Sequence, residues 1–233
     1  MKVLAFDTSS KALSLAILED KQVLAETTIN IKKNHSITLM PAIDFLMASL
    51  DWTPKDLDRI VVAEGPGSYT GLRIAVATAK TLAYTLNIEL VGMSSLLALV
   101  PHQQEGLFVP LMDARRNNVY AGFYENAKPV MAEAHLSFEE VLEKVKGTSQ
   151  VTFVGEVGPF GEVGPFVEQI QKHLPRTDYK ETLPNAANLA LLAWDKEADS
   201  LHDFVPNYLK RVEAEENWLK NHTESGESYI KRL

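Results

Sequence analysis

The residues best suited to chemistry lie in two turns that each begin with Asp. Asp7-Thr8-Ser9-Ser10 follows the apolar run Val3-Leu4-Ala5-Phe6, and Asp113-Ala114-Arg115-Arg116 follows Val109-Pro110-Leu111-Met112. A carboxylate beside hydroxyls at a strand end can anchor Mg²⁺ and order phosphate, or it can hold its own turn by hydrogen bonds to nearby N–H groups. Neither turn contains the glycine that backbone contact with phosphate favours. In the second, Arg115-Arg116 either pairs with Asp113 or fills the space a nucleotide would need. Asp7, Thr8, Ser9 and Asp113 thus read as a vestigial nucleotide site, and a structural role leads for Asp113.

A third motif is Gly65-Pro66-Gly67-Ser68-Tyr69-Thr70-Gly71-Leu72-Arg73. Glycines before a helix can bring backbone up to phosphate, but this spacing is neither GxGxxG nor GxxxxGK[ST]. Packing is the stronger reading. Ser68 caps a helix to about Leu86, and Gly71, Ala75, Ala79 and Ala83, four apart, form a small-residue stripe on which another helix can seat its ridges. The preceding helix, His35 to Leu50, is apolar on nearly every face and suits an interface. The expected contact set is His35, Ile37, Met40, Ile43 and Met47 with Gly71, Arg73, Ala75, Ala79 and Ala83.

Other chemistries are excluded by residue type. The chain has no cysteine, so thiolate nucleophiles, disulfides and zinc-thiolate sites are absent. Its six histidines never come closer than His202 and His222, so no HExxH pair exists. There is no G-x-S-x-G nucleophile elbow.

The elements that position these motifs follow from periodicity. Short alternating runs through Ile17 and Thr27 extend the first strand into a three-strand meander. Helix, strand (Ile60–Ala63) and helix follow, giving an α/β lobe with a mixed sheet. At an offset of 106 the first hairpin overlays residues 109–125 without a gap, which predicts a second, related lobe. Ser137 with Glu140 marks a capped helix to Lys146; Val151–Val154 reads as a strand and Pro184–Trp194 as a helix. The tandem repeat Gly-Glu-Val-Gly-Pro-Phe at 155–166 reads as a surface loop. Domains are expected at 1–104 (N-terminal lobe), 105–212 (C-terminal lobe) and 213–233 (a polar, partly mobile tail).

Composition agrees with a soluble two-lobed protein: 233 residues, 45% hydrophobic, 23% charged, formal charge −8. Residues 1–100 hold 9 basic and 10 acidic side chains, and residues 101–233 hold 14 and 21. An acidic chain is poorly suited to grip a phosphate backbone by itself, and the near-neutral first half is the easier place for a buried contact. No signal-peptide or membrane-span pattern is expected, so the expected location is the cytoplasm.

Val3 to Ser9, Gly65 to Arg73, Asp113-Ala114-Arg115-Arg116-Asn117-Asn118-Val119-Tyr120 and Pro206-Asn207-Tyr208-Leu209-Lys210 together resemble the bacterial TsaB (YeaZ) family, in order and along the whole chain. The resemblance implies an actin-like, Hsp70-like (ASKHA) α/β fold of two related lobes, with mixed β-sheets flanked by helices. It implies a non-catalytic paralogue of TsaD, lacking that protein's metal-binding histidines. The implied partners are TsaD, TsaE and a second copy of the chain, paired through the first two helices. The implied task is threonylcarbamoylation of adenosine 37 in tRNAs reading ANN codons, with tRNA touched only indirectly and no membrane contact. No cofactor or metal is expected beyond weak ATP or ADP with Mg²⁺ at the complex interface. Two other readings remain at this stage: a sugar-kinase-like phosphotransferase using Asp7, and the metallopeptidase suggested by the family's older glycoprotease name. Asn118 and Lys210 stand where the family usually has Glu and Arg.

Overall fold

The computed structural model describes residues 1–31, 34–101, 105–158, 165–174 and 177–210; the expected tail at 213–233 lies outside them. Five strands form the first sheet: β1 (Lys2–Asp7), β2 (Leu13–Glu19), β3 (Gln22–Ile29), β4 (Arg59–Gly65) and β5 (Glu89–Ser94), in the order β3-β2-β1-β4-β5. β1 is antiparallel to β2 and parallel to β4. Between the strands run α1 (His35–Ser49) and α2 (Tyr69–Leu86). The second sheet repeats this with β6 (Leu107–Asp113), β7 (Asn118–Glu125), β8 (Lys128–Ser137), β9 (Val151–Gly155) and β10 (Asp178–Glu181), in the order β8-β7-β6-β9-β10. Its helices are α3 (Phe138–Val145) and α4 (Pro165–His173). The internal repeat is therefore a whole-lobe duplication.

The duplication is not gap-free. On β1, Leu4 and Phe6 face α1 and α2 and lie beside Ile60 and Val62. The residues facing α3 and α4 from β6 are Val109 and Leu111, beside Phe153 and Gly155, an offset of 105. On β2 and β7 the helix-facing residues Leu13, Leu15 and Ile17 match Val119, Ala121 and Phe123, an offset of 106. Because strand side chains alternate between faces, a slip of one residue would turn β6 inside out. The second turn therefore takes the extra residue, and Met112, not Asp113, is the structural counterpart of Asp7.

Each sheet is covered on its second face by chain from across the boundary. α5 (Ala186–Leu192), which follows the second lobe, packs Ala186, Ala187, Leu189 and Ala190 against Val3, Ala5, Ala16 and Val61 of the first sheet. Leu96, Leu99 and Val100, which end the first lobe, pack against Phe108, Met112, Tyr124 and Val154 of the second. Residues 193–210 stay with the first lobe: Phe204 joins its core, and Asn207 N–H donates to Glu64 O at 2.8 Å. The expected boundaries of 105–212 for the second lobe are corrected accordingly, since residues 186–210 pack with the first.

Four elements have weak sequence signals. β5 carries Gly92 in its middle, β8 is an exposed to half-buried edge strand with Pro129, β10 reads Asp-Tyr-Lys-Glu, and α4 starts inside the tandem repeat. Of that repeat, expected as a surface loop, residues 159–164 lie outside the described residues. Its first copy puts Glu156, Val157 and Gly158 on the wall of a cleft, and its second puts Phe166 into the second core.

Candidate functional site

Two places bring the predicted residues together: the cleft between the lobes and the outer face of α1 and α2. The cleft has a volume of about 660 Å³ and is lined by Ser9, Lys11, Ser68, Asp113, Glu156 and Glu181 among others. Asp7 lies behind it at the end of β1 and is wholly buried. Its Oδ1 accepts the Ser9 N–H at 2.6 Å, while Oδ2 has no hydrogen-bond partner. Burial raises its pKa to about 6, against the opposing pull of the Ser9 hydrogen bonds and the charge of His35.

The Gly-Pro-Gly motif is explained here as close packing on this turn. Ser68 N–H donates to Ser9 O at 2.7 Å, and Thr8 Oγ1 donates to Gly71 O at 2.8 Å. A Cβ on Gly71 would sit 2.0 Å from the Thr8 carbonyl oxygen, and one on Gly67, at φ +155°, 2.5 Å from that of Ser9. Only glycine allows that approach. The Ser68 side chain caps α2 by accepting the Gly71 N–H, and Asn87 in the left-handed region ends it. His35 Nε2 lies 2.9 Å from Ser10 O, so one turn holds the starts of both helices.

Asp113 is placed quite differently. It is exposed, its Oδ2 pairs with Arg115 Nη1 at 3.1 Å, and Oδ1 accepts the Arg115 N–H. Arg115, Arg116 and Asn117 all have positive φ, a costly run for residues with a Cβ. Asn118 folds its amide onto the carbonyls of Arg115 and Arg116, closing the turn locally. Glu156 accepts the Asp113 N–H, and burial raises the pKa of both Glu156 and Glu181. The N–H groups of Ser9, Ser68 and Asp113 are engaged within the protein, and the carboxylates of Asp113, Glu156 and Glu181 share the cleft with Lys11 and with Arg115, which pairs with Asp113.

The predicted contact set divides in two, apart from His35, which is half-buried at the start of α1. Ile37 and Met40 are exposed (65% and 47%), and Arg73 is exposed as well. Ile43, Met47, Gly71, Ala75, Ala79 and Ala83 are buried. The small-residue stripe is a correction: it packs Ala75, Ala79 and Ala83 against the lobe's own sheet, and gives the close approach to Thr8 at Gly71. The face that looks outward adds two residues the sequence reading missed, Phe45 on α1 (68% exposed) and Tyr84 on α2 (74%). Helical spacing could have found Phe45, since residues 37, 40/41, 44/45 and 48 share one side. Arg73 lies 4.1 Å from the Tyr69 ring centroid and donates to Tyr208 Oη at 3.2 Å, tying the C-terminal segment to α2.

Two duplicated lobes, each a β3-β2-β1-β4-β5-type mixed sheet, with an interlobe cleft, define an actin-like (ASKHA) fold. The activator of 2-hydroxyisocaproyl-CoA dehydratase from Clostridium difficile shares it at a TM-score of 0.52 and 11% identity, over 84% of this chain and 95% of that one. YeaZ from Pseudomonas aeruginosa is far nearer: TM-score 0.74 and 25% identity, over 89% of this chain and 99% of that one. A family model for TsaD, described as tRNA N6-adenosine threonylcarbamoyltransferase, matches residues 22–218. The tRNA threonylcarbamoyladenosine biosynthesis protein TsaB of Bacillus subtilis is 38% identical over 232 residues, 95% of this chain and 99% of that protein. The chain belongs to the TsaB family.

Proposed function

We propose that this chain is a non-catalytic subunit in threonylcarbamoyladenosine formation at adenosine 37 of tRNA, acting by binding TsaD through the outer face of α1 and α2, with TsaE joining the pair. Family membership supports the pathway. The observation that carries the mode of action is the set of exposed large apolar side chains on these helices, Ile37, Met40 and Phe45 on α1 and Tyr84 on α2. Large apolar side chains left in water on one helix face favour a protein partner. The same face serves for self-pairing in the absence of TsaD. On this reading the protein works in the cytoplasm, tRNA is held by other subunits, and any weak Mg-ATP or Mg-ADP contact belongs to the assembled interface.

Reconstitution tests it. TsaD, TsaE and the enzyme that forms threonylcarbamoyl-adenylate should modify tRNA only when this chain is added, and this chain alone should transfer nothing. Phe45→Asp should weaken the TsaD complex by about thirtyfold, the loss of one hot spot, and lower the activity with it. Full activity without this chain, or undiminished affinity with Phe45→Asp, would refute the proposal.

A further inference from the structure

We infer that the two lobes form one rigid body whose cleft keeps a fixed width, so that cleft ligands do not drive an opening and closing motion. Three observations carry this. First, the crossing segments are core, not linker. Leu96, Ala98, Leu99 and Val100 are each at most 3% exposed, and they divide between two clusters: Ala98 packs with the first sheet and α5, the other three with the second sheet. Rotation of one lobe against the other would shear this continuous packing, and close-packed interiors resist such sliding.

Second, polar clamps hold the two crossings together. The buried Asn188 Nδ2 donates to both Leu97 O and Val100 O, Asn185 N–H donates to Ala98 O, and Thr182 Oγ1 donates to Leu99 O. Third, a further contact joins the lobes beside the first crossing, where Ser94 Oγ also accepts the Leu96 N–H. One carboxylate oxygen of Glu133 on β8 accepts both Ser94 Oγ–H from the first lobe and Tyr124 Oη–H from the second. That contact lies in a second groove of about 600 Å³, which shares no lining residue with the cleft. A hinge needs a few residues free to absorb a change of φ and ψ. Among the described residues of the two crossings, 96 and 98–100 carry buried side chains, Pro184 is buried, and the N–H groups of Thr182 and Asn185 donate to Gly155 O and Ala98 O; residues 102–104 lie outside the described residues. The inference stands independently of whether α1 and α2 bind TsaD.

The absence of native cysteine makes the test direct. The double variant Lys55→Cys, Lys144→Cys puts nitroxide labels on exposed sites of the two lobes, for pulsed electron spin resonance on the full chain. The expected result is one narrow distance peak, unchanged by saturating Mg-ATP. A broad distribution, or a peak displaced by more than about 2 Å, the scale of a domain rearrangement, overturns the inference. Adding Glu133→Ala to the labelled protein, with folding checked by thermal melting, should broaden the peak. An equally narrow peak would overturn the role given to the Glu133 clamp.

Discussion

The helix pairs that cover the two sheets occupy equivalent places and meet solvent in opposite ways. α1 and α2 hold Leu39, Ile43, Leu46, Ala75 and Ala79 inward and leave Ile37, Met40, Phe45 and Tyr84 outside. α3 and α4 hold Phe138, Val141, Phe166 and Ile170 inward and turn Glu139, Glu140, Glu143, Lys144, Glu168 and Lys172 to water. One layer of one duplicated fold has thus been kept as a solvated wall in one lobe and left apolar in the other. Packing of the sheet explains the inward residues of both. The proposed contact with a partner would account for the outward residues of the first.

The largest expected effect lies on that outward face. Ile37→Asp with Phe45→Asp should weaken TsaD binding by about 4 kcal/mol, near a thousandfold, if each is an interface hot spot. The melting temperature should hardly move, because neither side chain is buried. Isothermal titration calorimetry and a thermal melt read the two quantities separately. Glu143→Lys on α3 is the control, and it should change neither. Equal losses from both lobes would erase the distinction between them.

The turns offer a second contrast, expressed through pH. Asp7 is buried, and burial raises its pKa from the ordinary carboxylate value to about 6, so the folded state holds its proton more tightly than the unfolded state. Its protonated form is favoured in the fold, and stability is lost as pH rises from about 4 through 6, by about 3 kcal/mol in all. Asp7→Asn should flatten that part of the curve in urea titrations at several pH values. Asp113→Asn, in the exposed turn, should shift stability by less than about 0.5 kcal/mol. A wild-type curve that does not fall between pH 4 and 7 would place the Asp7 carboxylate in a more polar setting than its geometry indicates.

How much of this was readable in the chain depends on which signal was asked. The alternation of β2 and β3 and the helical period of α2 are legible, β1 and β4 stand out as short apolar runs, and α1 is marked by its length and its apolar residues on nearly every face. The Asp-to-Asp alignment at 106 matched letters across a one-residue gap. Comparing faces, Leu4 and Phe6 with Val109 and Leu111, would have revealed the slip. The alanine stripe is ambiguous in the sequence because small residues four apart fit a helix or a sheet equally well, and only the position of Ile37, Phe45 and Tyr84 tells which side is wet. The reciprocal covering of each sheet by chain from the other lobe had no local signal at all. It depends on where residues 96–100 and 186–210 travel after their elements end.

Ala79→Leu tests the stripe directly. The residue is fully buried against the sheet, so added methylenes should overpack the core and cost about 2 kcal/mol of unfolding free energy. Affinity for TsaD, measured on the folded protein, should stay within a few-fold. Loss of binding with unchanged stability would return the stripe to the interface and reverse the division between inner and outer faces.

The smallest effect comes from the start of α3. Ser137 Oγ accepts the Glu140 N–H, and the Glu140 carboxylate accepts from Ser137 in return, a reciprocal cap. Ser137→Ala should cost about 1 kcal/mol. The Ser137 hydrogen bonds hold the Glu140 pKa below the usual carboxylate value. Its contribution is therefore present above the unfolded pKa and fades as pH falls through that range, opposite in sign to that of Asp7. Removing the cap should make the acid side of the stability curve shallower, while removing Asp7 should flatten its rise-with-pH loss. If Ser137→Ala leaves the acid limb unchanged, α3 is held by its buried Phe138, Val141 and Leu142 alone, and the wall of the second lobe depends on packing without help from its charged rim.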